Sequence, residues 1–263
     1  MPPTDADALD TIEFAVVDHV ATVTLDRSER LNAFNRAMAD EMSVVWNRVR
    51  DDDAIHVAII QANGERAFCT GIDVKEGKWW GDWNVWNQED PGRSLGPKHH
   101  RVWKPVIAAV HGMCAGGGMY FVNEADIVVC SDDATFFDPH ADGHAVSALE
   151  PIGMLKRGVP LGEVMRWALM GTEERITAKT AQEIGLVSEV VSAAELRPRV
   201  SDIASQIAAR NPIAVQGTVR AIWEAVDMTR HMAIQNGMSY THIGNPTEYT
   251  SIMRQRSQSP RFR

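Results

Sequence analysis

The sequence predicts an α/β domain with largely parallel strands, followed by a helical C-terminal region. Up to about residue 192, short β-branched segments alternate with segments of helical periodicity, as in sheets whose parallel strands are joined by helices. The segments at 105–110 and 127–130 are continuously apolar, which is typical of strands covered on both faces. We therefore expect a core over residues 1–192 and a helical region over 193–263.

Each element follows from a local pattern. Residues 12–26 predict two short strands, and the β-branched segment at 55–61 predicts a third. Apolar residues recur at three- and four-residue steps over 33–50, which predicts a helix. A late strand is predicted at 186–191. Further helices are predicted at 193–209, 213–227 and 246–256. We expect them to have no strands to cover and to form a lid, a dimerisation element, or both.

Composition restricts the classes of function. The chain has 263 residues, of which 44% are hydrophobic, so it can bury a sizeable core. The net charge of −9 argues against a general nucleic-acid or anionic-membrane surface. The acidic N-terminus resembles neither a signal nor a transit peptide, and the sequence has no apolar run long enough for a transmembrane helix. Cys69, Cys114 and Cys130 form no CxxC pair, which favours a reducing, cytoplasmic location.

Two glycine-containing turns are the strongest candidates for a site. They are AFCTGIDVKE at 67–76 and HGMCAGGGMYF at 111–121, where Gly116–Gly118 opens a predicted helix. Glycine lets a backbone approach a ligand closely, and a helix N-terminus offers unpaired N–H groups. Two such turns facing each other would form an oxyanion hole for a carbonyl that becomes an enolate; otherwise they are ordinary tight turns. Neither is a GxGxxG or P-loop motif, so dinucleotide binding and nucleotide hydrolysis are not predicted.

Four segments in the same order resemble the crotonase superfamily, the enoyl-CoA hydratase/isomerase family. They are SERLNAFN (28–35), AFCTGIDVKE (67–76), VHGMCAGGGMYF (110–121) and TAKTAQEIGLVSEVV (177–191). The resemblance implies a crotonase-like spiral of ββα units with a C-terminal helical trimerisation region. It also implies an acyl-CoA substrate, with coenzyme A as part of the substrate and no separate cofactor, and a homotrimer or homohexamer.

The resemblance assigns roles to particular residues. It implies an oxyanion hole made by the backbone N–H groups of Ile72 and Gly117. It further implies a set of residues along the coenzyme A part of the substrate: Arg30, Leu31, Ala33, Ala67, Gly71, Asp73 and Lys75. For Lys75 the alternative is a solvated surface lysine.

The chain departs from the family at the two glutamates that hold and activate water in family hydratases. Tyr120 and His140 occupy the matching positions. An imidazole with a pKa near 6.5 suits proton transfer, so His140 is the candidate acid/base. Glu150 or Asp142 would orient its ring; alternatively Glu150, before Pro151, caps a helix. Tyr120 either donates a hydrogen bond to the substrate or packs in the core.

Two further patterns have alternative interpretations. Residues 138–144 hold two aspartates and two histidines, Asp138, His140, Asp142 and His144, but their spacing matches no named metal motif, and we expect no metal. Residues 79–86 hold four tryptophans. These form either a lid that favours a bulky, apolar or aromatic acyl group or a contact between subunits.

Together these features predict an enoyl-CoA hydratase/isomerase-type enzyme that acts on an acyl-CoA thioester through a stabilised enolate, with His140 as an atypical acid/base. Two alternatives remain. One is a histidine-dependent hydrolase of a C–C bond in a cyclic diketone. The other is a non-catalytic acyl-CoA-binding homologue. Neither nucleic acid nor a membrane is an expected partner.

Overall fold

The structure, a computed structural model, describes residues 9–76, 86–87, 89–90 and 92–244. Over these ranges the strands are Ile12–Val17 (β1), Val20–Leu25 (β2), Val57–Ala62 (β3), Ala67–Cys69 (β4), Val106–Val110 (β5), Met113–Ala115 (β6), Ile127–Ser131 (β7), Thr135–Phe137 (β8), Ile176–Thr177 (β9) and Glu189–Val191 (β10). The α-helices are Arg36–Asp51 (α1), Met119–Glu124 (α2), Leu149–Lys156 (α3), Leu161–Leu169 (α4), Ala178–Glu183 (α5), Ala193–Ala208 (α6), Pro212–Ala225 (α7) and Arg230–Gly244 (α8).

The strands form two sheets, and from β3 to β8 consecutive strands alternate between them. The larger sheet has the order β1-β2-β3-β5-β7-β10 and is parallel except for the β1–β2 pair. The smaller sheet has the order β4-β6-β8-β9. Each of the pairs β3–β4, β5–β6 and β7–β8 contributes one strand to each sheet, which produces a spiral of repeating units. The predicted α/β class with largely parallel strands is confirmed.

The second sheet was not predicted from periodicity. Its strands span two or three residues each, which is too short for an alternating pattern to be recognised. Strand β10 begins at Glu189, three residues later than predicted, because Leu186 and Val187 first form a turn whose backbone N–H groups donate to Ala181 of α5.

The register of the smaller sheet positions the site. Strands β4, β6 and β8 are parallel; Cys69 lies opposite Cys114, and Ala115 lies opposite Phe137. Their carboxyl ends therefore meet at one edge. The three segments that follow these strands, 70–72, 116–118 and 138–140, lie side by side there, at the kind of edge where parallel sheets bind ligands.

Helix α1 shows how a local pattern of apolar residues produces a helix face that is buried in the core. Asn35 is its N-cap, and the Asn35 side chain accepts a hydrogen bond from the Met38 backbone N–H at 3.0 Å. The helix consequently begins at Arg36, although the pattern predicted a start near residue 33. Its apolar face is buried, and the Trp46 indole N–H donates to the Leu95 carbonyl at 2.7 Å. That bond ties the helix to the loop at 92–101.

The C-terminal helices divide into two parts. Leu196, Val200 and Ala204 of α6 are buried against Ile59 and Ile107 of the larger sheet. The expectation that helices after residue 192 cover no strand is therefore wrong for α6. Helices α7 and α8 pack on each other, and α7 has no buried residue. The predicted helix at 246–256 lies outside the described residues. No helix within the described ranges is both long and apolar enough to cross a membrane.

Candidate active site

The two glycine turns meet at the carboxyl edge of the smaller sheet. Gly71 has φ +89°, and a Cβ added there would lie 3.0 Å from the Gly117 backbone nitrogen. The amide of Ile72 belongs to the peptide that begins at Gly71, so it lies beside the amide of Gly117. Only a residue without a side chain allows these two backbone segments to approach so closely.

Hydrogen bonds orient the Gly71–Ile72 peptide. The Gly71 carbonyl accepts from the Phe34 N–H at 2.8 Å, and the Phe34 carbonyl accepts from the Asp73 N–H at 2.8 Å. Because C=O and N–H point in opposite directions in a trans peptide, the Ile72 N–H points away from Phe34. The Gly117 N–H belongs to a short 3₁₀ turn at Gly116–Gly118, where the first N–H groups have no partner within the turn.

His140 lies next to the second glycine turn. Its Cε1 would be 3.8 Å from a Cβ added at Gly116. The ring Nδ1 is 2.5 Å from Oδ1 of Asp138, a carboxylate with no exposed surface. This hydrogen bond raises the pKa of His140, partly opposed by the burial of the ring, while the charges of Asp138 and Glu150 raise it further.

The partner of the imidazole differs from the one expected. The sequence pattern predicted that Glu150 or Asp142 orients His140. Instead, Asp142 accepts a hydrogen bond from the Thr172 backbone N–H at 2.7 Å, and Asp138 makes the bond to the ring. Asp138 was noted only as a possible metal ligand, although it occupies the same short segment.

Glu150 is a buried acid rather than a helix cap. The N-cap of α3 is Ala148, and Glu150 lies in the first helical turn with 5% of its surface exposed. Burial raises the pKa of the Glu150 carboxyl, and the charge of His140 acts in the opposite direction. Glu150 therefore faces the same site as His140 and Asp138.

Tyr120 connects the site to the loop that contains Asp90 and Gly92, which no sequence pattern had linked to the site. Its hydroxyl donates to Oδ1 of Asp90 at 2.7 Å, and its ring is packed against Gly92. Burial and the neighbouring charges of Glu150 and Asp90 raise the pKa of Tyr120 well above its ordinary value, so the hydroxyl remains protonated. No sequence signal pointed to Asp90.

The residues expected along coenzyme A fall into two groups. Arg30 and Lys75 are exposed, and Leu31 is half-buried, whereas the remaining four are buried: Ala33, Ala67, Gly71 and Asp73. Ala67 also contributes to a cavity of about 360 Å³ between residues 28–32 and 63–67.

The side chain of Asp73 is used inside the protein. It is 3.2 Å from the guanidinium of Arg27, which is also buried, and it accepts from the Lys75 backbone N–H at 3.1 Å. Arg27 also donates to Glu76 and to the Ala33 carbonyl. The ion pair thus holds the turn at 28–35 against the first glycine turn. Arg27 was missed in the sequence because a basic residue in a loop gives no signal of its burial.

Two further predictions concern the tryptophan-rich segment and a metal site. The tryptophan-rich segment 79–86 lies outside the described residues except for Trp86, which is exposed. For the metal alternative, the described ranges contain no cluster of three or more histidine, cysteine, aspartate or glutamate residues arranged to hold an ion.

Comparison with known proteins agrees with this architecture. A family described as enoyl-CoA hydratase/isomerase matches residues 16–247. (E)-Benzylidenesuccinyl-CoA hydratase of Thauera aromatica is 32% identical over 232 residues, covering 88% of each chain. Carnitinyl-CoA dehydratase of Proteus mirabilis is 32% identical over 241 residues, covering 89% of this chain and 87% of that protein. The crystal structure of an enoyl-CoA hydratase/isomerase from Mycobacterium paratuberculosis has a TM-score of 0.81 and 34% identity, covering 89% of this chain and 90% of that one.

The fold and the two apposed glycine turns therefore define an acyl-CoA enzyme of the crotonase type. The chain belongs to the enoyl-CoA hydratase/isomerase family.

Proposed function

We propose that this protein is an enoyl-CoA hydratase that adds water to, or removes it from, an acyl-CoA thioester through a stabilised enolate. The observation that carries the proposal is the apposition of the two glycine turns, with a Cβ position at Gly71 only 3.0 Å from the Gly117 nitrogen. The thioester oxygen would accept hydrogen bonds from the Ile72 and Gly117 N–H groups. As the enolate forms, charge develops on that oxygen, and each donor contributes about 2.7–4 kcal/mol to its stabilisation.

His140 would move the proton. In hydration it would take a proton from the water whose oxygen bonds to the β-carbon, and a proton would return to the α-carbon as the enolate collapses. The proximity of its ring to Gly116 and the raised pKa of the imidazole support this role. Glu150 would support the imidazolium by its charge, and Tyr120 would shape the acyl pocket through its bond to Asp90. No separate cofactor is needed, because coenzyme A is part of the substrate.

Along the substrate, Arg30 and Lys75 are exposed and available to the phosphates of coenzyme A. The buried group around Asp73 would instead hold the backbone that contacts the pantetheine. For the acyl group, we propose an aromatic or similarly bulky chain. The similarity to (E)-benzylidenesuccinyl-CoA hydratase and the four tryptophans at 79–86 support this choice.

The test compares enoyl-CoA substrates and two histidine variants. We expect hydration of an aromatic enoyl-CoA to exceed that of crotonyl-CoA in kcat/KM. His140→Gln should lower kcat by about 10²–10⁴-fold, the usual contribution of an acid/base group. His144→Gln is the matched control, because His144 is exposed on the same segment, and it should leave kcat unchanged.

Two results would refute the proposal. Binding of acyl-CoA without turnover of any enoyl-CoA would identify a non-catalytic binding protein. Cleavage of a cyclic diketone without any turnover of thioesters would identify a C–C hydrolase.

We further propose a homotrimer, or a dimer of such trimers. Apolar side chains are exposed along α3 and α4: Leu149, Ile152, Leu155, Leu161, Met165, Leu169 and Met170. Exposed apolar surfaces of this kind are typical of subunit contacts, and light scattering after size exclusion would measure the mass. All three cysteines are free and buried, which supports a reducing, cytoplasmic location.

A further inference from the structure

Asp138 is a buried carboxylate that, among the described residues, accepts hydrogen bonds from His140 alone. It directly follows β8, and its Oδ1 accepts from the His140 backbone N–H at 3.2 Å as well as from the ring Nδ1 at 2.5 Å. Within the described part of the chain its other oxygen, Oδ2, is buried without a hydrogen-bond partner. Leaving such an atom unsatisfied costs about 1–3 kcal/mol of folding free energy. A carboxylate held at that cost beside a candidate catalytic ring indicates a functional rather than a stabilising role.

The hydrogen bond determines which ring nitrogen carries the proton. An ionised carboxylate is an acceptor only, so the ring must donate to it from Nδ1. In the neutral imidazole the lone pair is then on Nε2. Cε1 is bonded to both nitrogens and lies next to the Gly116 turn, so Nε2 is one bond away from an atom beside this glycine turn.

We propose that Asp138 is a positioning residue for His140, which holds the ring proton on Nδ1 so that Nε2 is the atom that exchanges a proton with water and substrate. The inference rests on the proposed function, in which His140 moves the proton. When Nε2 takes up a proton from water the ring becomes an imidazolium paired with the Asp138 carboxylate. When Nε2 releases a proton to the α-carbon the neutral ring is restored, so protons and charge balance over the cycle.

A second carboxyl group that faces this ring comes from α3. Glu150 raises the pKa of His140 through its charge alone, whereas Asp138 acts through both charge and a hydrogen bond. Glu150 can therefore stabilise an imidazolium, but the tautomer of the neutral ring depends on Asp138.

Asp138→Asn tests this role, because the amide keeps the size of the side chain but removes the charge that fixes the tautomer. We expect kcat to fall at least about 10²-fold, by analogy with the loss seen when a histidine-orienting aspartate is replaced in a catalytic triad. The acidic limb of the pH–kcat/KM profile should move to lower pH, because Asp138 no longer raises the pKa of His140. At pH 9, above the raised pKa of His140, the Tm should change little, because the charge interaction with the imidazolium is then absent from both proteins. Asp132→Asn, at an exposed aspartate in the turn between β7 and β8, should change none of these quantities.

Nitrogen NMR of the ¹⁵N-histidine-labelled protein provides a readout independent of activity, with the His140 signals assigned by their loss in His140→Gln. The wild type should show a protonated Nδ1 and an unprotonated Nε2 at high pH, and Asp138→Asn should shift this balance. If Asp138→Asn keeps the wild-type kcat and pH profile while His140→Gln is inactive, the positioning role is refuted and the proposed function stands. If His140→Gln is fully active, the role of His140 in the proposed function is refuted as well.

Discussion

A methyl group at Gly71 should separate the two amides of the proposed oxyanion hole. Its Cβ would lie 3.0 Å from the Gly117 nitrogen and 3.2 Å from the Ala115 carbonyl oxygen. Because non-bonded heavy atoms prefer about 3.5 Å or more, the turns must move apart by about 0.5 Å to accommodate it. Donors of an oxyanion hole lie about 2.7–3.1 Å from the oxygen, so a shift of this size removes one of them from hydrogen-bonding range. Losing one donor lowers kcat by about 10²–10³-fold, and we expect this loss for Gly71→Ala.

Gly158→Ala is the matched control for the backbone cost. Gly158 has φ +87°, close to the +89° of Gly71, but no heavy atom of the described chain lies within 4 Å of its added Cβ. Each variant should lose about 1–2 kcal/mol of stability from the left-handed conformation alone. Kinetics of enoyl-CoA hydration and urea unfolding would be measured on both proteins. Equal kcat values for Gly71→Ala and Gly158→Ala would show that the two amides do not act together, and the proposed site would be wrong.

Two further predictions concern stability. Asp73→Asn should lower the free energy of unfolding by about 1–3 kcal/mol, because it leaves the buried Arg27 with weaker hydrogen-bond acceptors. As a control, Asp40→Asn breaks the exposed Arg36–Asp40 pair and should cost less than about 1 kcal/mol in the same urea titration. Equal losses for the two variants would contradict the structural role of Asp73. Because Asp138 raises the pKa of His140, the imidazole adds stability that is fully present below its unfolded pKa of about 6.5 and is lost as pH rises through the raised folded value. The Tm difference between wild type and His140→Gln should therefore shrink from pH 6 to pH 9, and a difference that grows over that range would show that the sign is wrong.

Local patterns in the sequence predicted the larger sheet well. Strands β1, β2, β3, β5 and β7 are apolar runs long enough to be recognised, and the predicted helix over 33–50 differs from α1 mainly at its start. The smaller sheet escaped prediction because β4, β6 and β8 owe their structure to pairing between distant segments rather than to their own composition. That sheet nevertheless aligns the three segments of the candidate site.

The sequence by itself determined the class of the protein, because glycines at 71 and 116–118 and the four motifs are local features that need no partner to be recognised. It also pointed to His140 as the group that replaces a glutamate. Only the tertiary structure decided which carboxylate contacts that ring. Asp138 contacts it and Asp142 does not, because of the direction in which the chain leaves β8. The packing of α3 places Glu150 nearby. The burial of a side chain and the direction of a loop depend on contacts between segments far apart in the chain. A local sequence pattern does not show those contacts.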